Sequence, residues 1–205
     1  MTEKKIEISL TDFIDFVNKS GSQKLTQVRK VKNRPEYEAF ADFYKPLREK
    51  IQTIHKKGLS KDELDKVLDS LTDDKKKTNY PDLIEGYKKF WGRRKMKWFQ
   101  PPYRNWKIGD LEIRINPELG LEYNGQFYVV KLFFKDEKIQ RSQFDQILTL
   151  MEYQLRSKVN EPEIQFSILD IRKAKLYPQK GKSNELVPLL LGEAKSFVEI
   201  WKGID

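Results

Sequence analysis

The sequence predicts an α/β protein in which a helical N-terminal region precedes a mixed sheet closed by a C-terminal helix. Three observations predict it. Up to about residue 100 apolar residues recur at helical spacing behind capping boxes, and beyond Pro101 and Pro102 the period shortens to two. Between two such alternating runs stands Asn124-Gly125, a pair suited to the positive φ of a two-residue hairpin turn. The reading divides the chain into a basic helical region, 1–79, and a mixed-sheet core with its terminal helix, 80–205.

In the first region Ile6, Ile8 and Leu10 alternate as a short strand, and Phe13, Ile14 and Val17 fit a short helix stopped by Gly21. A basic segment, Lys24 to Lys32, follows. Asn33, Pro35 and Glu36 have the form of a capping box opening a long helix with the stripe Tyr37, Phe40, Ala41, Tyr44, Leu47, Ile51 and Ile54, kinked at Pro46 and ended by Gly58. Ser60 and Glu63 make a second box before Leu64, Val67, Leu68 and Leu71. After a charged loop, Asp73 to Lys77, Asn79 and Pro81 open a third helix bearing Tyr80, Leu83, Ile84, Tyr87, Phe90 and Trp91 on one stripe.

In the second region Tyr103 to Ile108 folds back through Gly109-Asp110 onto Leu111 to Asn116, setting Lys107 against Glu112 and Trp106 against Ile113. Pro117 lacks an N–H and marks a bulge or bend in a long second strand that continues from Glu118 to Tyr123; Gln126 to Lys135 is the third. A helix from Ser142 to about Ser157, a strand from Glu163 to Ile171, a short strand near Lys175 to Tyr177 and a buried helix from Ser183 to Trp201 complete the order αβββαβ plus terminal helix.

Composition narrows the chemistry. The chain has 205 residues, no cysteine and one histidine, so disulfides, thiolate zinc sites, cysteine nucleophiles and histidine triads are excluded. His55, in the last turn of its helix, reads as a surface position favoured by the helix dipole. Phosphate-binding glycine loops, dinucleotide fingerprints and calcium loops are absent. Without a signal peptide or an apolar run of membrane-spanning length, the chain is expected to be cytoplasmic and free of the membrane. The net charge of +9 lies mostly in the first hundred residues, which hold 24 Lys and Arg against 16 Asp and Glu. Such asymmetry suits a polyanionic partner, DNA or RNA, and equally suits solubility. The densest cluster is Lys88, Lys89, Arg93, Arg94, Lys95 and Lys97, interleaved with aromatic residues, and it is the expected nucleic-acid-binding surface.

The two-residue turn acts as a ruler, because residues whose numbers sum to 249 lie opposite each other. Leu119, Leu121, Tyr123, Tyr128, Val130, Leu132 and Phe134 form a core face, while Glu118 falls opposite Lys131. A lysine on a covered strand keeps a partner or loses its proton. Two readings of the pair stand: a cross-strand ion pair, or a catalytic couple.

Helix, three-strand meander, helix and strand, with Pro117-Glu118 in the second strand and Lys131 in the third, resembles the core of the PD-(D/E)XK nuclease-like superfamily over roughly residues 80–171. The resemblance implies that Glu118 is the principal magnesium ligand, that Glu122 or Glu85 (or Asp170) assists it, and that Lys131 orients the attacking water. Val129 stands where the family carries its second acid. The expected function is therefore nucleic-acid binding on a nuclease-like core that is either active or catalytically degenerate, with magnesium required if it cleaves. The alternative is a non-catalytic module docking a protein partner; the sequence leaves oligomeric state open.

Overall fold

The computed structural model describes residues 5–34, 42–136, 140–180 and 184–204. Its strands are β1 (Ile6–Ser9), β2 (Lys97–Phe99), β3 (Arg104–Ile108), β4 (Leu111–Ile115), β5 (Leu119–Tyr123), β6 (Gln126–Phe133), β7 (Gln165–Asp170) and β8 (Lys175–Pro178). Its α-helices are α1 (Leu10–Val17), α2 (Ser22–Lys32), α3 (Lys45–Lys56), α4 (Lys66–Asp69), α5 (Asp74–Trp91), α6 (Arg141–Leu155) and α7 (Val187–Gly203). The architecture is mixed α/β, as expected.

Asn124 and Gly125 have φ of 53° and 74°, the left-handed values that a type I′ turn needs. The register follows: Tyr123 pairs with Gln126, Leu121 with Tyr128 and Leu119 with Val130. Around this hairpin lies a five-stranded sheet in the order β2-β5-β6-β7-β8, in which β7 runs parallel to β6 after the α6 crossover and the other pairings are antiparallel.

The sheet is the middle layer of three. On one face Leu119, Leu121, Tyr123, Val130, Leu132, Leu169 and Ile171 share a core with Leu47, Ile51 and Ile54 of α3 and with Tyr80, Leu83, Tyr87 and Phe90 of α5. On the other, Val129, Phe166 and Ile168 meet α6, α7, α1 and a second sheet of order β1-β4-β3. Residues 6–32 are thus built into the core across the 79/80 division: β1 pairs in parallel with β4, and α1 and α2 pack against α7.

The expected long second strand divides. β3 and β4 form the hairpin read from the sequence, with Lys107 opposite Glu112 and Trp106 opposite Ile113, but they belong to the smaller sheet. The chain changes sheets between Ile115 and Leu119, where Pro117 cannot donate to a ladder. The intervening strand that completes the larger sheet is β2, three residues inside the basic-aromatic segment, unforeseen in the sequence.

Helix ends also differ. Asn33 caps the C-terminus of α2, the basic segment; Pro35 and Glu36 of the expected capping box, with the start of the helix it would open up to Ala41, lie outside the described residues. Pro46 sits in the first turn of α3, where a missing N–H costs nothing, and produces no kink. Ser60 caps a 3-10 turn, Lys61–Leu64, rather than an α-helix. Asp73 accepts from the Lys75 and Lys76 N–H groups, and this cap starts α5 within the expected charged loop, so that Pro81 lies inside the helix. α6 begins behind a Gln140–Gln143 capping box. The expected Ser183 start lies outside the described residues; α7 buries Leu190, Ala194, Phe197 and Val198 but exposes Leu189 and Leu191, so it is covered on one face only.

Candidate functional site

Glu118 stands at the change of sheets, just ahead of β5. Its N–H donates to the carbonyl of Val130 at 3.0 Å, although Val130 is already the partner of Leu119. Two consecutive residues thus meet one across the ladder, a bulge that shifts Glu118 out of simple opposition to Lys131. Its carboxylate is nonetheless turned toward Lys131. Lys131 Nζ donates to Glu118 Oε1 at 2.5 Å and to the Asn116 carbonyl at 3.3 Å. Glu118 Oε2 accepts the Leu132 backbone N–H at 2.8 Å, and Gln52 of α3 donates to the Glu118 carbonyl at 3.1 Å. The side chains are only 9% (Glu118) and 14% (Lys131) exposed. The buried carboxylate and the partly buried ammonium satisfy each other, and the carboxylate also gives the Leu132 N–H an acceptor beyond the start of β5.

The other proposed acids lie apart from this pair. Glu122 is held by Lys97 at 3.1 Å, one strand out toward the sheet edge. Glu85 is an exposed residue of α5, the helix packed on the opposite face from the one where Lys131 meets α1 and α6. Asp170 is taken up by Lys173 at 2.8 Å. Among the described residues no three His, Cys, Asp or Glu side chains are gathered to hold a metal ion. Magnesium demands near-octahedral oxygen ligation at about 2.1 Å. With both Glu118 oxygens engaged and Glu122, Glu85 and Asp170 elsewhere, this donor set does not fit it.

Lys131 lines a cavity of about 40 Å³ between β6, α1 and α6, together with Asp15, Lys135, Gln143 and the apolar Leu10, Ile14 and Ile147. Asp15 and Lys135 pair across it at 3.1 Å. Sequence reasoning missed these neighbours because they come from segments 120 residues apart, and no local periodicity reports such a contact.

The basic cluster divides into tied and free members. Lys88 is bound by Asp65 at 2.6 Å, and Lys97 by Glu122. Arg94 lies over the Phe90 and Tyr123 rings, with its guanidinium on the Phe90 carbonyl. Lys89, Arg93 and Lys95 are exposed, and nothing among the described residues pairs with them. They bracket the turn from α5 to β2.

His55 corrects the expectation of a surface position. It is 5% exposed, stacked on Trp91 with ring centroids 4.2 Å apart, and its Nε2 lies 2.6 Å from the Tyr87 hydroxyl. Desolvation lowers its pKa to about 4 and raises that of Tyr87, so we assign the hydroxyl as donor to a neutral ring. The histidine is a core residue.

Comparison of the chain with protein-family profiles and with curated proteins finds no match. Among the described residues no helix is long and apolar enough to cross a membrane.

Proposed function

We propose that this protein binds DNA or RNA in the cytoplasm, on a nuclease-like scaffold whose acid–lysine pair serves as a structural clasp. The observation that carries the binding reading is the trio Lys89, Arg93 and Lys95, exposed and unpaired at the end of α5, in a chain of net charge +9. Three free cations within seven residues suit a phosphate backbone. The scaffold reading draws support from the order α5, β2, β5, β6, α6, β7: a helix, three antiparallel strands, a helix and a parallel strand, with the β3–β4 hairpin interposed. The engaged carboxylate of Glu118 favours a clasp over a cleaving centre.

Filter binding of single- and double-stranded oligonucleotides at two salt concentrations, with and without magnesium, tests the reading. It requires salt-sensitive binding that weakens when Lys89, Arg93 and Lys95 are replaced by glutamine, and no cleavage. Magnesium-dependent cleavage abolished by Lys131→Ala would overturn the clasp; salt-independent or absent binding would overturn the nucleic-acid role. The second reading, a protein partner, is favoured by Leu189 and Leu191, 52% and 37% exposed near the start of α7.

A further inference from the structure

A second opening lies at the free edge of the larger sheet, away from Lys131. β2 pairs with β5 alone, and the chain beyond α6 passes close to it, leaving a cleft of about 280 Å³. Two half-buried rings line it, Phe99 and Phe127, at a centroid distance of 5.9 Å and an interplanar angle of 61°. The Phe99 ring lies so close over Gly120 that a Cβ there would overlap it, so this approach depends on glycine at position 120. The rim carries Gln100, Asn160, Lys158 and Glu161, all exposed. No hydrogen bond or ion pair to another described residue occupies these four side chains.

Each group has a use for the same class of ligand. Half-buried aromatic rings offer a stacking platform for a planar heteroaromatic ring. Amide side chains supply both donors and acceptors to a base edge, a carboxylate accepts from an exocyclic amine, and a lysine meets a phosphate. The free cations also stand close to the cleft along the chain, since Lys95 precedes Phe99 by four residues. We infer that this cleft seats one unpaired base of a single-stranded nucleic acid, with Phe99 and Phe127 as the platform and Lys158 on the adjoining phosphate. The inference rests on the nucleic-acid reading and adds where, and in what strandedness, the ligand is held.

The full chain, ¹⁵N-labelled, is titrated with a single-stranded 12-mer, with an abasic 12-mer of the same backbone, and with deoxycytidine monophosphate. The base-bearing oligomer and the mononucleotide are expected to shift the amide signals of Gln100, Phe127 and Asn160, and the abasic strand to leave them in place. Phe127→Leu, which keeps apolar bulk and removes the ring, is expected to weaken binding of the base-bearing oligomer by about tenfold and to leave abasic binding unchanged. Lys158→Ala, at an exposed position, is the second variant and is expected to weaken the mononucleotide but not the nucleoside. Unmoved amides, or a Phe127→Leu chain that binds the base-bearing strand like the parent, overturn the inference; the open edge of β2 then points to an added peptide strand. If the oligomers fail to bind while the mononucleotide still moves these signals, the cleft assignment stands and the basic-patch reading falls. Equal binding of both oligomers without those shifts has the reverse meaning.

Discussion

Glu118 and Lys131 meet at 2.5 Å across a bulge, and the second carboxylate oxygen of Glu118 accepts the Leu132 N–H at 2.8 Å. One carboxylate thus neutralises a partly buried cation and satisfies a backbone donor. Glu118→Ala removes both services, leaving a partly buried charge unpaired and a backbone donor without its acceptor, and is expected to destabilise the fold by about 3 kcal/mol. Lys131→Met leaves Glu118 its backbone donor and is expected to cost less, about 2 kcal/mol. The double substitution Glu118→Ala with Lys131→Met leaves neither charge unpaired, so its cost should fall at least about 1 kcal/mol below the sum of the two single changes. Urea unfolding of the four chains measures this. Strict additivity would show that the two side chains do not depend on each other.

How much of this site the sequence discloses depends on chain distance. The Asn124-Gly125 turn sets every pairing of β5 with β6, so the approach of Glu118 to Lys131 was legible from residue numbers alone. The bulge was legible as a proline, but not the transfer of β4 to another sheet, because a strand's alternation is the same whichever sheet it joins. β2 was hidden by length: three residues carry too little alternation to stand out among cations and aromatics. The parallel pairing of Ile6 with Leu111 and the Asp15–Lys135 contact link segments more than a hundred residues apart, where a single sequence has no register signal. His55 lies in the core because Trp91 and Tyr87 cover the last turn of α3, and helix-end position in a sequence does not report that cover.

His55 makes stability fall in mild acid. The folded protein holds its imidazole neutral down to about pH 4, while the unfolded chain protonates it near 6.5. Between those values the unfolded state binds more protons, so the contribution is complete above pH 6.5 and is lost as pH falls toward 4, by about 3 kcal/mol in total. A His55→Gln chain, whose side chain has no titrating proton, should show a flatter dependence over that window. Denaturant midpoints at pH 7.5, 6 and 5 decide it, and parallel curves for the two proteins would remove His55 as the cause.

Gly86 and Gly192 should respond to the same substitution with opposite signs. In α5, a Cβ on Gly86 would overlap the Ile171 carbonyl at the end of β7, so alanine forces the helix off the sheet, at about 1 to 3 kcal/mol. In α7, nothing lies within 4 Å of a Cβ at Gly192, and alanine there restores helix propensity worth about 0.5 to 1 kcal/mol. Thermal midpoints should therefore drop for Gly86→Ala and rise for Gly192→Ala. A neutral Gly86→Ala would mean that α5 does not approach β7 this closely.

The division of the basic cluster into tied and free cations gives the nucleic-acid reading its sharpest test. Each phosphate contact contributes about 0.9 to the slope of log affinity against log salt on duplex DNA, and about 0.7 on single strands. Replacing Lys89, Arg93 and Lys95 together with glutamine should lower the magnitude of that slope by about 2 to 3. Lys88, spent on Asp65 at 2.6 Å with Asp62 at 3.9 Å, should not behave in the same way, although its sequence neighbourhood is just as basic. Lys88→Gln is expected to leave the slope unchanged and to loosen the contact of α5 with the 61–69 segment instead, a surface pair worth about 1 kcal/mol or less. If Lys88→Gln lowers the slope as much as each of the free cations does, the intramolecular pairing is broken on binding and charge density alone, not the fold, selects the contacts.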